Sequence, residues 1–135
     1  MKQREKEQTE DATDSGHNEN KDAFNRMEQI ILKGQLFKEP QFNRDSIVKA
    51  TGLSRTKVIQ LIQEFTGLTP GDYITKLRLE HSVKLIKEHP DWTIDGIAEG
   101  CGYVRRATYY SHFNKFYGIT PAQYRKECEK ENPKE

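Results

Sequence analysis

The sequence predicts an all-α fold: two helix-turn-helix units joined by one long helix. Three observations predict it. A heptapeptide occurs twice, GLTPGDY at Gly67–Tyr73 and GITPAQY at Gly118–Tyr124, 51 positions apart. Upstream of each copy lies a second matched stretch, FNRDSIVKATGL (Phe42–Leu53) and WTIDGIAEGCGY (Trp92–Tyr103), offset by 50. Between them run amphipathic segments whose apolar residues recur at i, i+3, i+4 and i+7, the spacing of one helix face.

Composition sets the bounds. The 135 residues suit one domain, and 33% apolar against 32% charged residues implies a thin core under a heavily charged surface. No run of about 18 apolar residues occurs, so no spanning helix is expected. No apolar run follows the first basic residues, so no signal peptide is expected and the setting read is cytoplasmic. Cys101 and Cys128 lack a CxxC spacing and are read as reduced and structural. His17, His81, His89 and His112 show no metal-ligand spacing, and no metal or cofactor is expected. Residues 1–20 hold three Lys/Arg and six Asp/Glu, whereas the remaining 115 hold 19 and 15. An acidic, almost wholly polar segment therefore precedes a mildly basic body. Residues 1–20 read as a disordered tail or linker, and the folded domain as 21–131. The basic body leans toward a polyanionic partner.

Each element follows from local chemistry. Phe24, Met27, Ile30 and Ile31 share one helical face and begin the packed chain. The first unit covers about 43–67. Asn43 is its N-cap, Phe42 and Ile47 are the hydrophobic staple, and Gly52 marks the turn. Its second helix carries the stripe Val58, Leu61, Ile62, Phe65. Gly67 then suits the residue that closes a helix. Thr69 caps the next one, Pro70 sits where its missing N–H costs nothing, and Asp72 favours the helix start. The heptapeptide is thus a joint that stops one helix and starts another, with no chemistry of its own. The linker helix, about 70–88, places Ile74, Leu77, His81 and Leu85 on one face. At 1.5 Å per residue it is about 28 Å long, near the spacing of about 34 Å between successive major-groove segments. The second unit covers about 93–117. Thr93 is its cap, Trp92 and Ile97 its staple, and its stripe is Tyr109, His112, Phe113, Phe116. One residue is inserted in its turn near Val104–Arg105. Thr120 and Gln123 form a capping box that starts the last helix, about 120–130, stapled by Ile119 and Tyr124.

The stretch Ile97–Arg125, IAEGCGYVRRATYYSHFNKFYGITPAQYR, resembles the signature of the DNA-binding domain of the AraC/XylS family of bacterial transcription regulators. Tyr73–Ile86, YITKLRLEHSVKLI, resembles that family's linker helix. The resemblance covers about Lys21–Lys130. It implies a seven-helix, all-α domain that binds double-stranded DNA sequence-specifically and regulates transcription, more often as an activator, with RNA polymerase as a further partner. Relatives commonly carry this domain at the C-terminus of a sensor protein, and the polar N-terminal segment suits the connecting linker. The DNA-binding unit is expected to be monomeric, with any dimerisation coming from other regions. The chain departs from the pattern at several places. Tyr103 and Tyr109 stand where Phe is usual. Val104 and Arg105 replace small polar residues, which leaves the second recognition helix without an evident N-cap. Ser111 and Asn114 replace frequent Arg and Lys.

With the stripes facing the core, the opposite helix faces are free for DNA. On the first recognition helix, carry-over from the family makes Thr56, Ile59 and Gln60 base-facing. Gln suits adenine, and Thr or Ile suits the thymine methyl. Arg55, Lys57 and Gln63 suit phosphates. On the second, Arg106, Ala107, Tyr110 and Ser111 hold the exposed positions, with Arg106 placed for bidentate guanine recognition. Arg105 adds a phosphate contact. Backbone amides near Asn43, Thr93 and Thr120 offer helix N-termini to phosphate oxygens. Such polar faces are more often merely solvated, and it is the duplication with the resemblance that raises them above that. His112 reads as a satisfied core-edge histidine, Trp92 as a packing anchor, and Arg78 as one partner of an internal salt bridge. No nucleophile–base–acid set or phosphate-cradling Gly loop appears, which argues against an enzyme. A helical protein-interaction module is the alternative, supported by the acidic segment and a net charge of only +1.

Overall fold

The structure, a computed structural model, describes residues 2–131, with side chains from Gly16 onward. Among the described residues there are seven α-helices and no strand. They are α1 (Lys2–Gly34), α2 (Arg44–Thr51), α3 (Arg55–Thr66), α4 (Pro70–Glu88), α5 (Ile94–Gly100), α6 (Arg106–Tyr117) and α7 (Pro121–Glu131). A single 3-10 turn, Leu36–Lys38, follows α1.

The helix ends follow from their caps. Asn43 accepts from the Ser46 amide, and the Ser46 hydroxyl accepts from the Asn43 amide, both at 3.1 Å. Ser54 caps α3 by accepting from Lys57 N at 3.0 Å. Thr69 and Thr93 accept from Asp72 N and Gly96 N. Thr120 and Gln123 form the reciprocal pair that starts α7. Gly67 and Gly118, the first residues of the two heptapeptides, close α3 and α6 at φ 74° and 79°, a left-handed conformation that costs glycine little. The heptapeptides are therefore joints in the structure too.

Two cores share α4. Phe24, Met27 and Ile31 of α1 meet Ile47 of α2, Val58, Leu61 and Ile62 of α3, and Tyr73, Ile74 and Leu77 of α4. Leu79, Leu85 and Ile86, further along α4, meet Ile97 of α5 and Tyr109 and Phe113 of α6. The linker helix is thus buried on more than the one face its stripe suggests. Its N-terminal half belongs to the first unit and its C-terminal half to the second. The two units meet at Arg78. Its guanidinium donates to the carbonyls of Phe37 (2.8 Å), Glu39 (2.8 Å) and Pro40 (3.3 Å). Gly102, at φ 97°, packs beneath it. A Cβ there would lie 2.7 Å from the Phe37 carbonyl oxygen and 3.0 Å from Arg78 Nε.

Several expectations change. Residues 2–20 are helical and continuous with the packed part of α1; Met1 lies outside the described residues. Glu, Lys, Gln and Arg, strong helix formers, supply eight of residues 2–10. Its end is also anchored. His17 packs 5.1 Å from the Phe65 ring and places Nδ1 3.1 Å from the Glu64 carboxylate. Ile30 and Phe116 lie exposed, because at their edges of the stripes no neighbouring helix covers them. Trp92 is 41% exposed and stacks on the His89 imidazole at 3.7 Å, rather than anchoring a core. Arg78 binds carbonyls, not a carboxylate. His112 is half-buried with Nδ1 2.9 Å from the Tyr103 hydroxyl. Cys101 is buried, which pushes its thiol up to about 12 and leaves it a packing residue. No described helix is long and apolar enough to cross a membrane.

Candidate nucleic-acid interface

Burying Val58, Leu61 and Ile62 turns the opposite face of α3 outward. Arg55, Thr56, Ile59, Gln60 and Gln63 are all exposed on it. Ile59 is the one apolar residue among them, with 37% of its surface free. Lys57 differs. It lies at the flank of α3, half-buried, and donates from Nζ to Asn20 Oδ1 at 2.7 Å. Asn20 also donates to Glu64 at 3.2 Å. One of the three ammonium hydrogens of Lys57 thus goes to a neutral amide oxygen at the end of the polar N-terminal stretch, which leaves its charge in place. Only the tertiary packing of α1 on α3 reveals this.

The outward face of α6 carries Arg106, Ala107 and Ser111, all exposed, and Tyr110, half-buried. Val104 and Arg105 precede it in the turn, and Val104 is 79% exposed. Arg105 holds the N-cap position in extended backbone but makes no side-chain cap bond, as the missing Ser or Thr implies. Its guanidinium is therefore not committed to the helix end. Arg106 is engaged. Nε lies 3.1 Å from Asp95 Oδ1, Nη2 donates to the Tyr110 hydroxyl at 3.3 Å, and Cζ sits 4.9 Å from the Tyr110 ring centroid. The hydrogen bond to Tyr110, then the electrostatic pull of Tyr110 and Asp95, push the guanidinium above its ordinary value.

The three caps behave differently from free helix N-termini. Within the Asn43–Ser46 box, the Asn43 and Ser46 amides are already bonded. Asp45 and Asp95 sit in the first turns of α2 and α5 and set negative charge where a phosphate would go. At Thr120 the amide donates to Gln123, and Pro121 has no N–H, so the start of α7 offers little. Sequence reasoning missed Asp95 and Asp45 as partners of the recognition helices, and Ser54 as a cap. The repeat aligns the two aspartates, and that alignment was the available signal.

A profile of the helix-turn-helix domain family matches residues 47–127. PqrA of Proteus vulgaris, described as a probable transcription factor, is 32% identical over 94 residues, which cover 70% of this chain and 76% of PqrA. The C-terminal domain of AraT, a response regulator from Geobacillus stearothermophilus, superposes with a TM-score of 0.68 at 26% identity, covering 78% of this chain and 84% of that one. The DNA-binding domain of AdpA, a global transcriptional factor solved with a target DNA, superposes with a TM-score of 0.69 at 21% identity over 81% of this chain and 97% of that one. This last likeness is one of fold. The chain spans only 29–31% of the length of other curated relatives that it matches. With its duplicated helix-turn-helix, shared linker helix and matched profile, the chain belongs to the AraC/XylS family of helix-turn-helix transcription regulators.

Proposed function

We propose that this chain binds double-stranded DNA sequence-specifically and reads two successive major-groove segments, one with α3 and one with α6. The observation that carries the reading is the single helix α4 shared by both cores, with an exposed polar face on each recognition helix. Nineteen helical residues span about 28 Å, which suits two readers about one turn of duplex apart. On α3, Thr56, Ile59 and Gln60 face bases, and Arg55 and Gln63 face the backbone. On α6, Arg106, Ala107, Tyr110 and Ser111 face bases, and Arg105 takes a phosphate. Amides near Asn43, Thr93 and Thr120 contribute less, for the reasons given by their caps. Lys57 takes a phosphate with the ammonium hydrogens that Asn20 leaves free.

The domain serves as the output end of a longer regulator, and its effect is activation through contact with RNA polymerase. The AraT likeness, to the C-terminal domain of a response regulator, supports the output role. Site selection from a random duplex library, followed by anisotropy titrations, tests DNA reading. The expected result is a bipartite site whose halves lie about one helical turn apart. Equal affinity for selected and unrelated duplexes at low salt overturns it and favours an interaction module. A reporter fused downstream of the selected site distinguishes activation from repression.

A further inference from the structure

The two units carry the same charge pair in different states. In the first, Asp45 lies 3.8 Å from Arg44 Nε and 4.0 Å from Arg55, a loose contact divided between two cations. In the second, Asp95 meets Arg106 alone, at 3.1 Å and through Nε. Nε is the nitrogen on the side of the guanidinium. An Arg that reads guanine end-on uses its two terminal nitrogens against O6 and N7. The carboxylate beside Nε, an ion-pair contact, leaves Nη1 and one hydrogen of Nη2 for a base, the other Nη2 hydrogen going to the Tyr110 hydroxyl at 3.3 Å. The Tyr110 ring beneath the guanidinium and the Asp95 charge at its side together narrow its orientations.

We propose that Asp95 is a positioning residue that sets the base specificity of the second recognition helix. It holds Arg106 in a guanine-reading pose before DNA arrives and offsets its charge. Two consequences follow. The ordering of a flexible side chain is completed in the free protein, which favours binding in that one geometry. The nearby carboxylate also weakens the pull of Arg106 on backbone phosphates, which carry no sequence information. A carboxylate facing DNA would otherwise only repel it. Arg55, loosely held, stays available to phosphates, so the first unit relies on Thr56, Ile59 and Gln60 for discrimination. The inference rests on the proposed reading of DNA by α6.

The full chain tests it with a selected site, all its single-base-pair variants and an unrelated duplex over a salt series. Arg106→Ala identifies the position that Arg106 reads. Asp95→Ala, which removes the carboxylate, is expected to cut guanine preference there about two- to fivefold. Asp95→Asn keeps an acceptor but not the charge, and is expected to steepen the salt dependence on unrelated DNA by about one phosphate equivalent. Asp95→Ala combined with Arg106→Ala is expected to lose no more at that position than Arg106→Ala alone. Asp45→Ala is expected to leave that position untouched. Wild-type guanine preference in Asp95→Ala overturns the proposal. So does an equal loss on every duplex with an unchanged salt slope in Asp95→Asn. Both outcomes leave DNA reading intact if the wild-type chain still selects a site. A wild-type chain without any preference overturns the reading and the proposal together.

Discussion

Arg106 is where one side chain decides most. Arg106→Ala is expected to cost about 1–3 kcal/mol of binding and to relax specificity at one base position. Anisotropy titrations over single-base-pair variants measure it, and a loss uniform over all sequences would make Arg106 a phosphate contact. Histidines govern a second residue-scale effect. Burial first, then Lys115 and Arg78, push His112 below its ordinary value, and burial, Lys38 and Lys84 do the same to His81. The fold therefore favours the neutral form of both. Below about pH 6.5 the unfolded chain takes up protons that the folded chain refuses. Stability is complete above that pH and declines as pH falls toward the depressed folded values. Thermal unfolding between pH 7.5 and 5 should show a falling Tm, with a shallower fall in His112→Gln. The role of His112 was legible from its place in the apolar stripe. Its Tyr103 partner was not, because the pair closes across the turn.

Among the elements, α6 stands apart because its N-terminus lacks a side-chain cap. Arg105 already has the extended backbone of an N-cap, at φ −114° and ψ 130°. Arg105→Ser is therefore expected to stabilise the chain by about 0.5–1 kcal/mol, while lowering the salt slope of DNA binding by about one. Urea unfolding and salt titrations read the two halves separately. A cap that adds no stability, or a slope that stays put, would remove Arg105 from the phosphate set. Helix boundaries were legible because caps are local. Asn43, Thr69, Thr93 and Thr120 each bond an amide three residues on. The start of α1 was not legible, since polar composition fits a solvated tail as well as a charged helix. Its packing on α3 through His17 and Asn20 depends on residues more than 35 positions away.

At the scale of the molecule, the junction of Arg78 with Gly102 fixes how the two units face one another. Gly102→Ala would press a Cβ against the Phe37 carbonyl and impose a strained φ. It should cost roughly 1–3 kcal/mol and weaken binding to a bipartite site more than to either half-site. Gly52→Ala, at the matching turn, meets only open space around the added Cβ. It should leave the ratio of bipartite to half-site affinity unchanged. Equal effects of the two substitutions on that ratio would show that the junction does not set the spacing.

The all-α class, the duplicated units, the stop–start joints and the outward faces of α3 and α6 are all readable from residue order. These depend on helix periodicity and on caps that act within four residues, so one dimension suffices to see them. Which outward cations carry partners is set by packing between elements. Lys57 is bonded to Asn20, Arg106 is held by Asp95 and Tyr110, and Arg105 is uncommitted. Packing alone decided that α4 serves two cores and that Arg78 joins them through carbonyls. Those pairings bring together groups from separate elements, and their distances exist only once the helices have packed.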